Sequence, residues 1–409
     1  MTSAIRVRMY RTGFGDCFLL SFGPAASRDH VLIDFGTHAH GDIGTMGRIM
    51  DELETETGKK LALIIATHAH RDHISGFGTF RDRFAQFEIG EVWLPWTEDP
   101  KDENAAALQR KQVALTERLH AHLAAMGARA TDDPRYAPAL HAISNLRGNR
   151  PAKDALAEGF RKARTRYYAG GRTIRNVSGV PGLSAEILGP PRDTTFFSRM
   201  QPPSHQRFLT APDDEVTPIR PFPRLEMKAA DADLKELVEK QAQPVLPDED
   251  TLALREAAEA PADRLALVLD NARNNSSLVI LFRYGGRSLL FGGDAQWGNW
   301  QSWIGTERAR ELLSEVDFIK IAHHGSHNAT PVDVVKALRP KELAVMISTQ
   351  AEPFPTIPRP PLLAQLEQRA TGNAIMRSDW VRIENAPEGP EAKALPQCEV
   401  RALCVEYSL

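Results

Sequence analysis

Four residues of metal-ligand type lie within one short stretch of the sequence: His68, His70, Asp72 and His73. In an extended chain the side chains of residues 68 and 70 point the same way, and residues 72 and 73 follow on the next turn. Imidazole and carboxylate groups bind divalent cations. Because the adjacent residues 72 and 73 leave the backbone in different directions, we predict a site for two ions, spaced by about 3.5–4 Å as in known two-metal sites.

An apolar run at residues 61–66 precedes this stretch and predicts a buried strand. The histidines then emerge at the carboxyl end of that strand, where open α/β sheets keep their chemistry. Two ions need more ligands than one stretch provides, so further ligands must come from elsewhere in the chain. The alternative interpretation is a polar loop after a core strand.

Other predicted strands also end on groups of ligand type. Residues 31–36 contain Asp34, which could orient a ligating histidine or simply form a turn before Gly36. The strand predicted at 287–291 leads to Asp294, and the one at 316–322 leads to His323 and His324.

Hydrophobic periodicity predicts the remaining elements. Residues 4–22 indicate two strands joined by a Gly turn, and residues 278–291 indicate a Gly-Gly hairpin. Further strands are predicted at 91–96, 183–188, 343–348, 375–383 and 398–407, and helices at 43–54, 103–126, 151–166, 231–242 and 251–260.

The composition limits the classes of protein. The chain has 409 residues, 45.3 kDa, 42% hydrophobic residues and a formal charge of −3, so it can bury a large core and is not a polyanion binder as a whole. Three cysteines without zinc-knuckle spacing indicate buried thiols in a reducing compartment. No apolar run approaches the roughly 20 residues needed to cross a bilayer, so we expect a cytoplasmic protein without membrane contact.

Taken together, the motifs resemble the metallo-β-lactamase superfamily: Asp34 after a strand, the His68 to His73 stretch, Gly293-Asp294, and residues 323–326 with the sequence His-His-Gly-Ser. More narrowly, residues 13–17 and 274–279 resemble the hydrolase domain of the competence protein ComEC and its soluble relatives. The resemblance covers roughly residues 4–98, 183–191 and 274–385. It implies an α/β fold, an αββα metallo-β-lactamase sandwich with two largely helical insertions.

This resemblance divides the chain into segments. Residues 1–99 would form the first half of the core, 166–191 further core strands and 265–409 the second half. Residues 100–165 would be a helical insertion, and 192–264 a second insertion rich in proline and charge. Either insertion could dock a protein partner.

The resemblance also implies roles for individual residues. His68 and His70 would hold the first ion, Asp72 and His73 the second, and Asp294 would bridge them. His324 would complete the second site, with His323 as a competitor. The groups expected behind the ligands are Asp34, Asn275 and Ser326.

The sequence departs from the superfamily pattern at the first ion. Many superfamily hydrolases place a third histidine on the loop before residues 278–282, where this chain offers Asn274 and Asn275. A nitrogen-poor site makes manganese as credible as zinc for the two divalent ions.

The mechanism predicted from these ligands is hydrolysis by a hydroxide that two metal ions activate. Catalytic roles fall to Asp72 and, as donors to the leaving oxygen or the phosphoryl group, to His323 or His327. Possible substrate contacts are His38, His40, Arg166 and Tyr167.

The favoured activity is that of a phosphodiesterase or nuclease acting on DNA, RNA or a nucleotide, because excess positive charge at the ions attracts an anion. The same site can open small esters, lactones, thioesters or β-lactams. A different class is a partner-binding component of a multi-protein system, for example in defence, with structural metals.

Overall fold

Two β-sheets pack face to face in the structure, a computed structural model that describes residues 5–38, 43–126, 137–208, 269–340, 343–350, 356–381 and 397–409. The strands are β1 (Ile5–Tyr10), β2 (Cys17–Phe22), β3 (Asp29–Phe35), β4 (Lys60–Ile65), β5 (Glu88–Pro95), β6 (Arg164–Tyr168), β7 (Arg172–Ile174), β8 (Ser184–Gly189), β9 (Val279–Tyr284), β10 (Arg287–Phe291), β11 (Phe318–Lys320), β12 (Leu343–Ile347), β13 (Ala370–Arg377), β14 (Cys398–Val400) and β15 (Cys404–Ser408). The first sheet has the order β14-β15-β1-β2-β3-β4-β5-β6, and the second has the order β13-β12-β11-β10-β9-β8-β7.

Helices cover the outer faces of both sheets. They are α1 (Ile43–Thr57), α2 (Arg71–Thr79), α3 (Arg81–Phe84), α4 (Glu103–Met126), α5 (Ala137–Leu146), α6 (Arg150–Ala157), α7 (Trp297–Gln301), α8 (Glu307–Ser314), α9 (Val332–Ala337) and α10 (Pro360–Glu367). One apolar cluster lies between the sheets, a second joins α1, α2 and α6 to the first sheet, and a third joins α8, α9 and α10 to the second. The predicted αββα layering is therefore confirmed.

Strand β4, which precedes the histidines, has an uninterrupted apolar sequence from Leu61 to Ile65 because both of its faces are buried. Leu63 and Ile65 of β4 belong to the cluster between the sheets, whereas Leu61 and Ile64 belong to the cluster under the helices. A strand buried on both faces needs apolar side chains at successive positions.

Parallel pairing gathers the functional segments at one edge of the molecule. Strands β3 to β6 are parallel to one another, and so are β10 to β13. The carboxyl ends of β3, β4, β10 and β11 therefore face the same edge. A hydrogen bond from Leu278 N to Thr67 O (2.8 Å) joins the two sheets there.

Three element predictions were wrong. The strand predicted at 375–383 is β13, which begins at Ala370 and ends at Arg377, where a 3-10 turn at Ser378–Trp380 takes the chain out of the sheet. The helix predicted at 151–166 ends at Ala157, because Gly159, Phe160 and Arg161 all have positive φ and turn the chain into the edge strand β6. The single strand predicted at 398–407 is a hairpin of β14 and β15, which a bond from Arg401 N to Cys404 O (2.8 Å) closes. The helices predicted at 231–242 and 251–260 lie outside the described residues.

Within the described ranges, no helix combines the length and the apolar character that a membrane crossing requires. The three cysteines are free thiols, with Cys17 and Cys404 buried.

Three backbone segments meet too closely for side chains where the histidine stretch enters α2. A Cβ on Gly15 would lie 2.5 Å from Gly36 O and 2.6 Å from Asp72 O. A Cβ on Gly36 would overlap the backbone of Asp72 and His73. These glycines allow the loop after β1 and the end of β3 to support the residues that carry the ligands.

We expect Gly36→Ala to lower the free energy of unfolding by about 1–3 kcal/mol, because the added methyl group overpacks this junction. Gly47→Ala is the matched control, since a Cβ on Gly47 in α1 has no atom within 4 Å. Alanine at that helical position should raise the free energy of unfolding by about 0.5–1 kcal/mol. Denaturant unfolding of both variants checks the pair, and equal effects would contradict the proposed close approach.

Candidate metal centre

Four side chains from three strand ends form a buried cluster. The ligand atoms of Asp72, His73, Asp294 and His324 all lie within 4.8 Å of one another, and each residue is at most 2% exposed. His73 Nε2 lies 3.0 Å from Asp294 Oδ2. His324 Nε2 lies 3.6 Å from Asp294 Oδ2 and 3.8 Å from Asp72 Oδ2. These spacings suit groups that share a cation.

His68 and His70 lie beside this cluster. His68 Nε2 and His70 Nδ1 face each other at 2.9 Å. The rings of His68 and His73 are 4.2 Å apart between centroids. The fold thus brings together all the residues that the sequence nominates as metal ligands.

Three of the imidazoles are held by the nitrogen that points away from the cluster. His68 Nδ1 contacts Thr67 Oγ1 at 3.1 Å, His73 Nδ1 contacts Asp34 Oδ2 at 2.8 Å, and His324 Nδ1 contacts Ser348 O at 2.9 Å. Such a partner selects the tautomer and leaves the other nitrogen free for a metal. In each of these rings that nitrogen is Nε2.

Asp34 is placed for this role by its own backbone. It has a φ of 56°, and its carboxylate accepts hydrogen bonds from Thr67 N and Thr67 Oγ1, both at 2.7 Å. The carboxylate that the sequence placed behind a histidine therefore lies behind His73.

The polar atoms of the cluster fit a divalent metal ion. Asp72 Oδ1 and His324 Nε2 are buried and have no hydrogen-bond partner among the described residues. A buried polar atom without a partner costs about 1–3 kcal/mol, and more when the group is charged. Carboxylate oxygen and imidazole nitrogen are ligands for zinc and comparable ions, so a bound cation would satisfy these atoms.

A buried lysine that the sequence analysis missed supports the cluster. Lys320 is 2% exposed; its ammonium pairs with Asp16, lies 3.3 Å from Asp294 Oδ1 and donates to Gly293 O at 2.8 Å. Burial opposes its charge, but the carboxylates of Asp16 and Asp294 outweigh burial and raise the pKa of Lys320. Asp294 therefore turns Oδ1 to the lysine and Oδ2 to the histidines. The sequence did contain a signal for Lys320, because it is a charged residue within an apolar strand, and such a residue is seldom buried without a partner.

The helical insertion holds the histidine loop in place. Asn145 Oδ1 of α5 accepts from Asp72 N at 3.3 Å, and Asn149 Nδ2 donates to Ala69 O at 2.7 Å. Arg273 joins both parts, since it donates to Ala69 O at 3.2 Å and to Gln112 Oε1 of α4 at 3.0 Å. Sequence reasoning missed these residues, because a polar side chain on an amphipathic helix looks like a solvated one.

The two histidines nominated as proton donors lie outside the cluster of four. His323 Nδ1 contacts Ser326 Oγ at 2.9 Å and Gln296 Nε2 at 3.2 Å. Burial lowers the pKa of His323 to about 4. Burial, with the charges of Arg359 and Arg207, also lowers the pKa of His327 to about 4. Both rings are therefore neutral at neutral pH.

The remaining nominated residues have mainly structural contacts. Asn275 donates to Phe197 O at 3.2 Å and accepts from Asn299 N at 3.0 Å, so it braces the loop before β9. Arg166, on the edge strand β6, pairs with Glu91 at 2.8 Å, and Tyr167 beside it is half-buried. His38 is buried, and His40 lies outside the described residues.

Comparison with known protein families finds a match to part of the chain. Residues 10–136 match the family model described as "Metallo-beta-lactamase superfamily". No curated protein sequence matches the chain.

Among solved structures, Zn²⁺-bound PqqB from Methylobacterium extorquens is similar at 10% identity, with 88% of this chain and 84% of that chain covered and a TM-score of 0.34. The metallo-beta-lactamase fold protein YhfI from Bacillus subtilis is similar at 6% identity, with 91% and 96% covered and a TM-score of 0.36. Residues 10–136 are thus similar to the metallo-β-lactamase superfamily, and the chain has a mixed α/β fold of two sheets and helices that is consistent with the metallo-β-lactamase fold.

Proposed function

We propose that this protein is a metal-dependent hydrolase that cleaves a phosphodiester bond in a small anionic substrate such as a nucleotide. The observation that carries the proposal is the buried cluster of Asp72, His73, Asp294 and His324, in which Asp72 Oδ1 and His324 Nε2 have no hydrogen-bond partner among the described residues. These are ligand atoms, and the cluster lies at the edge where four strand ends meet.

The charges of the site favour an anion. Two divalent ions would bring about four positive charges, and the carboxylates of Asp72 and Asp294 offset two of them. Lys320 is balanced by its ion pair with Asp16. Bound ions would also supply a water molecule whose pKa is lowered toward about 7.

The protein's own residues would bind, orient and exclude water. His68, His73 and His324 present Nε2 to the site because their other nitrogens are held. Lys320 fixes the direction of the Asp294 carboxylate. His323, neutral at working pH, would bind a phosphoryl oxygen by an N–H group rather than act as a charged acid.

The small size of a cavity beside His68 supports a small substrate over a polymer. A cavity of about 140 Å³ borders His68, between Ala66 and Leu94 of the core and Gln109 and Lys153 of the insertion. Small-molecule pockets commonly measure about 300–1,000 Å³. The described residues therefore leave space for a compact group beside His68.

Phosphodiester cleavage is preferred to acyl chemistry on two grounds. The excess positive charge suits a phosphoryl group, and the segments at residues 13–17 and 274–279 resemble the hydrolase domain of ComEC. The possible substrate contact Arg166 on β6 is a weaker argument for a nucleic-acid strand, because its guanidinium is already paired with Glu91.

We expect Asp72→Ala and Asp294→Ala to lower kcat/KM on bis-p-nitrophenyl phosphate by about 100-fold or more. Even the outer partners of metal ligands are worth about 10–100-fold in affinity or activity, and these carboxylates are nominated ligands themselves. Removal of metal by a chelator should abolish turnover, and added Zn²⁺ or Mn²⁺ should restore it. Glu88→Gln, at an exposed position on β5, is the matched control and should keep full activity. If the two alanine variants turn over substrate as fast as the wild type, the enzyme proposal is wrong and a structural role for the metals is favoured.

A second comparison tests substrate size. A dinucleotide diester should be cleaved with a kcat/KM at least about 10-fold higher per bond than a long single-stranded DNA or RNA, because the small cavity beside His68 fits a compact group and not a strand. The panel should include a p-nitrophenyl ester and a lactone. Faster cleavage of the long strand would instead indicate a nuclease, and preference for the ester or lactone would indicate acyl chemistry.

A further inference from the structure

A carboxylate far along the chain faces one of the nominated ligands. Asp270 lies in a helical turn at residues 269–274, immediately before the loop that leads to β9. Its Oδ1 is 3.4 Å from His70 Nε2; the His70 side chain is 1% exposed and that of Asp270 is 16% exposed. At this distance the two atoms form no hydrogen bond in the structure, and neither has another hydrogen-bond partner among the described residues, so a small side-chain rotation would join them.

The orientation of the His70 ring indicates which of its nitrogens Asp270 contacts. His70 Nδ1 faces His68 Nε2 at 2.9 Å, so Nδ1 is the nitrogen on the side of the nominated ligands. Nε2 is the nitrogen on the far side, and Asp270 lies there. The other three imidazoles each have a partner on the far nitrogen: Thr67 for His68, Asp34 for His73 and Ser348 for His324. Asp270 is the corresponding group for His70.

We propose that Asp270 is the positioning residue of His70: its carboxylate accepts the Nε2–H hydrogen bond and thereby keeps the Nδ1 lone pair directed at the first metal ion. This inference rests on the metal centre of the proposed function. A carboxylate behind a ligating histidine fixes the tautomer and makes the ring a stronger ligand. Such support matters most at the first ion, to which the resemblance assigns two imidazoles and no carboxylate other than that of Asp294, which would be shared with the second ion.

The turn that carries Asp270 is anchored on both sides. Arg273 Nη1 donates to Ala69 O, the backbone group between His68 and His70, at 3.2 Å. Gln296 Nε2 donates to Asn271 Oδ1 at 2.7 Å. The position of Asp270 relative to His70 therefore depends on contacts other than the carboxylate itself, and a substitution at 270 leaves those contacts in place.

The test is metal binding by the full chain. Zn²⁺ affinity is measured for each of the two sites by competition with a chromophoric chelator, in the wild type, Asp270→Ala, Asp270→Asn and Asp51→Asn. We expect Asp270→Ala to weaken one site by about 10–100-fold and to leave the other unchanged. Asp270→Asn should weaken the same site less, because its amide oxygen can still accept the Nε2–H bond. Asp51→Asn, an exposed carboxylate on α1, should bind like the wild type.

A spectroscopic readout separates positioning from a general structural effect. In the Zn²⁺-loaded protein with ¹⁵N-labelled histidine, NMR should show an exchange-protected Nε2–H on His70 that Asp270→Ala loses. Thermal unfolding of the metal-free variants identifies any variant that fails to fold. If Asp270→Ala fails to fold, the test uses Asp270→Asn, because asparagine has the same shape as aspartate.

The outcomes distinguish the two proposals. Two Zn²⁺ sites of unchanged affinity in both Asp270 variants would overturn the role of Asp270 and leave the hydrolase proposal standing. A wild-type protein that binds no Zn²⁺ or Mn²⁺ would overturn the metal centre, and the role of Asp270 with it.

Discussion

The structure depends on holding several carboxylates away from water at one edge of a two-sheet sandwich. Asp16, Asp34, Asp72 and Asp294 are each at most 2% exposed. Buried charges are tolerated only when they are paired or bind metal. The ammonium of Lys320 and the imidazoles of the centre supply part of the compensation, and bound cations would supply the rest. Asp294 illustrates the balance: burial opposes its charge, but His73, Lys320 and His324 outweigh burial and lower its pKa.

This compensation requires unusual backbone geometry at the strand ends. Asp34, His323 and His324 have φ values of 56°, 46° and 56°, a region that side chains other than glycine seldom adopt. Such residues cost about 1–3 kcal/mol each and persist where the surroundings determine them. Here the left-handed turn after β11 directs His324 into the cluster and His323 toward Ser326 and Gln296. Adjacent histidines thus serve different purposes.

The helical insertion is part of the candidate site. Asn145 and Asn149 hold the backbone of the histidine loop, and Arg273 links that loop to α4. The same helices border the small cavity beside His68. A segment predicted from the sequence to be an insertion therefore contacts the backbone that carries the ligands and borders the cavity beside His68.

The sequence by itself determined many of the strands and the residues from which a metal centre could be built, whereas the layers of the sandwich were implied by the resemblance to a superfamily. The strands and the candidate ligands are local properties: apolar runs such as residues 61–66 reflect strands buried on two faces, and ligand-type residues directly follow strands. The end of α6 was missed although Gly159, with a φ of 57°, follows the C-cap and is the residue type that most often ends a helix. The positive φ of Phe160 and Arg161 has no such signal in the sequence.

Only the tertiary structure decided which groups meet across long stretches of chain. It separated His324 from His323, placed Lys320 against Asp16, and brought Asp270 to His70 across the helical insertion. These contacts depend on how two sheets and their covering helices pack at one edge. The spacing of residues in the sequence carries no information about that packing. The segment that carries each residue has the same local hydrophobic pattern whether or not the contacting residue exists elsewhere in the chain.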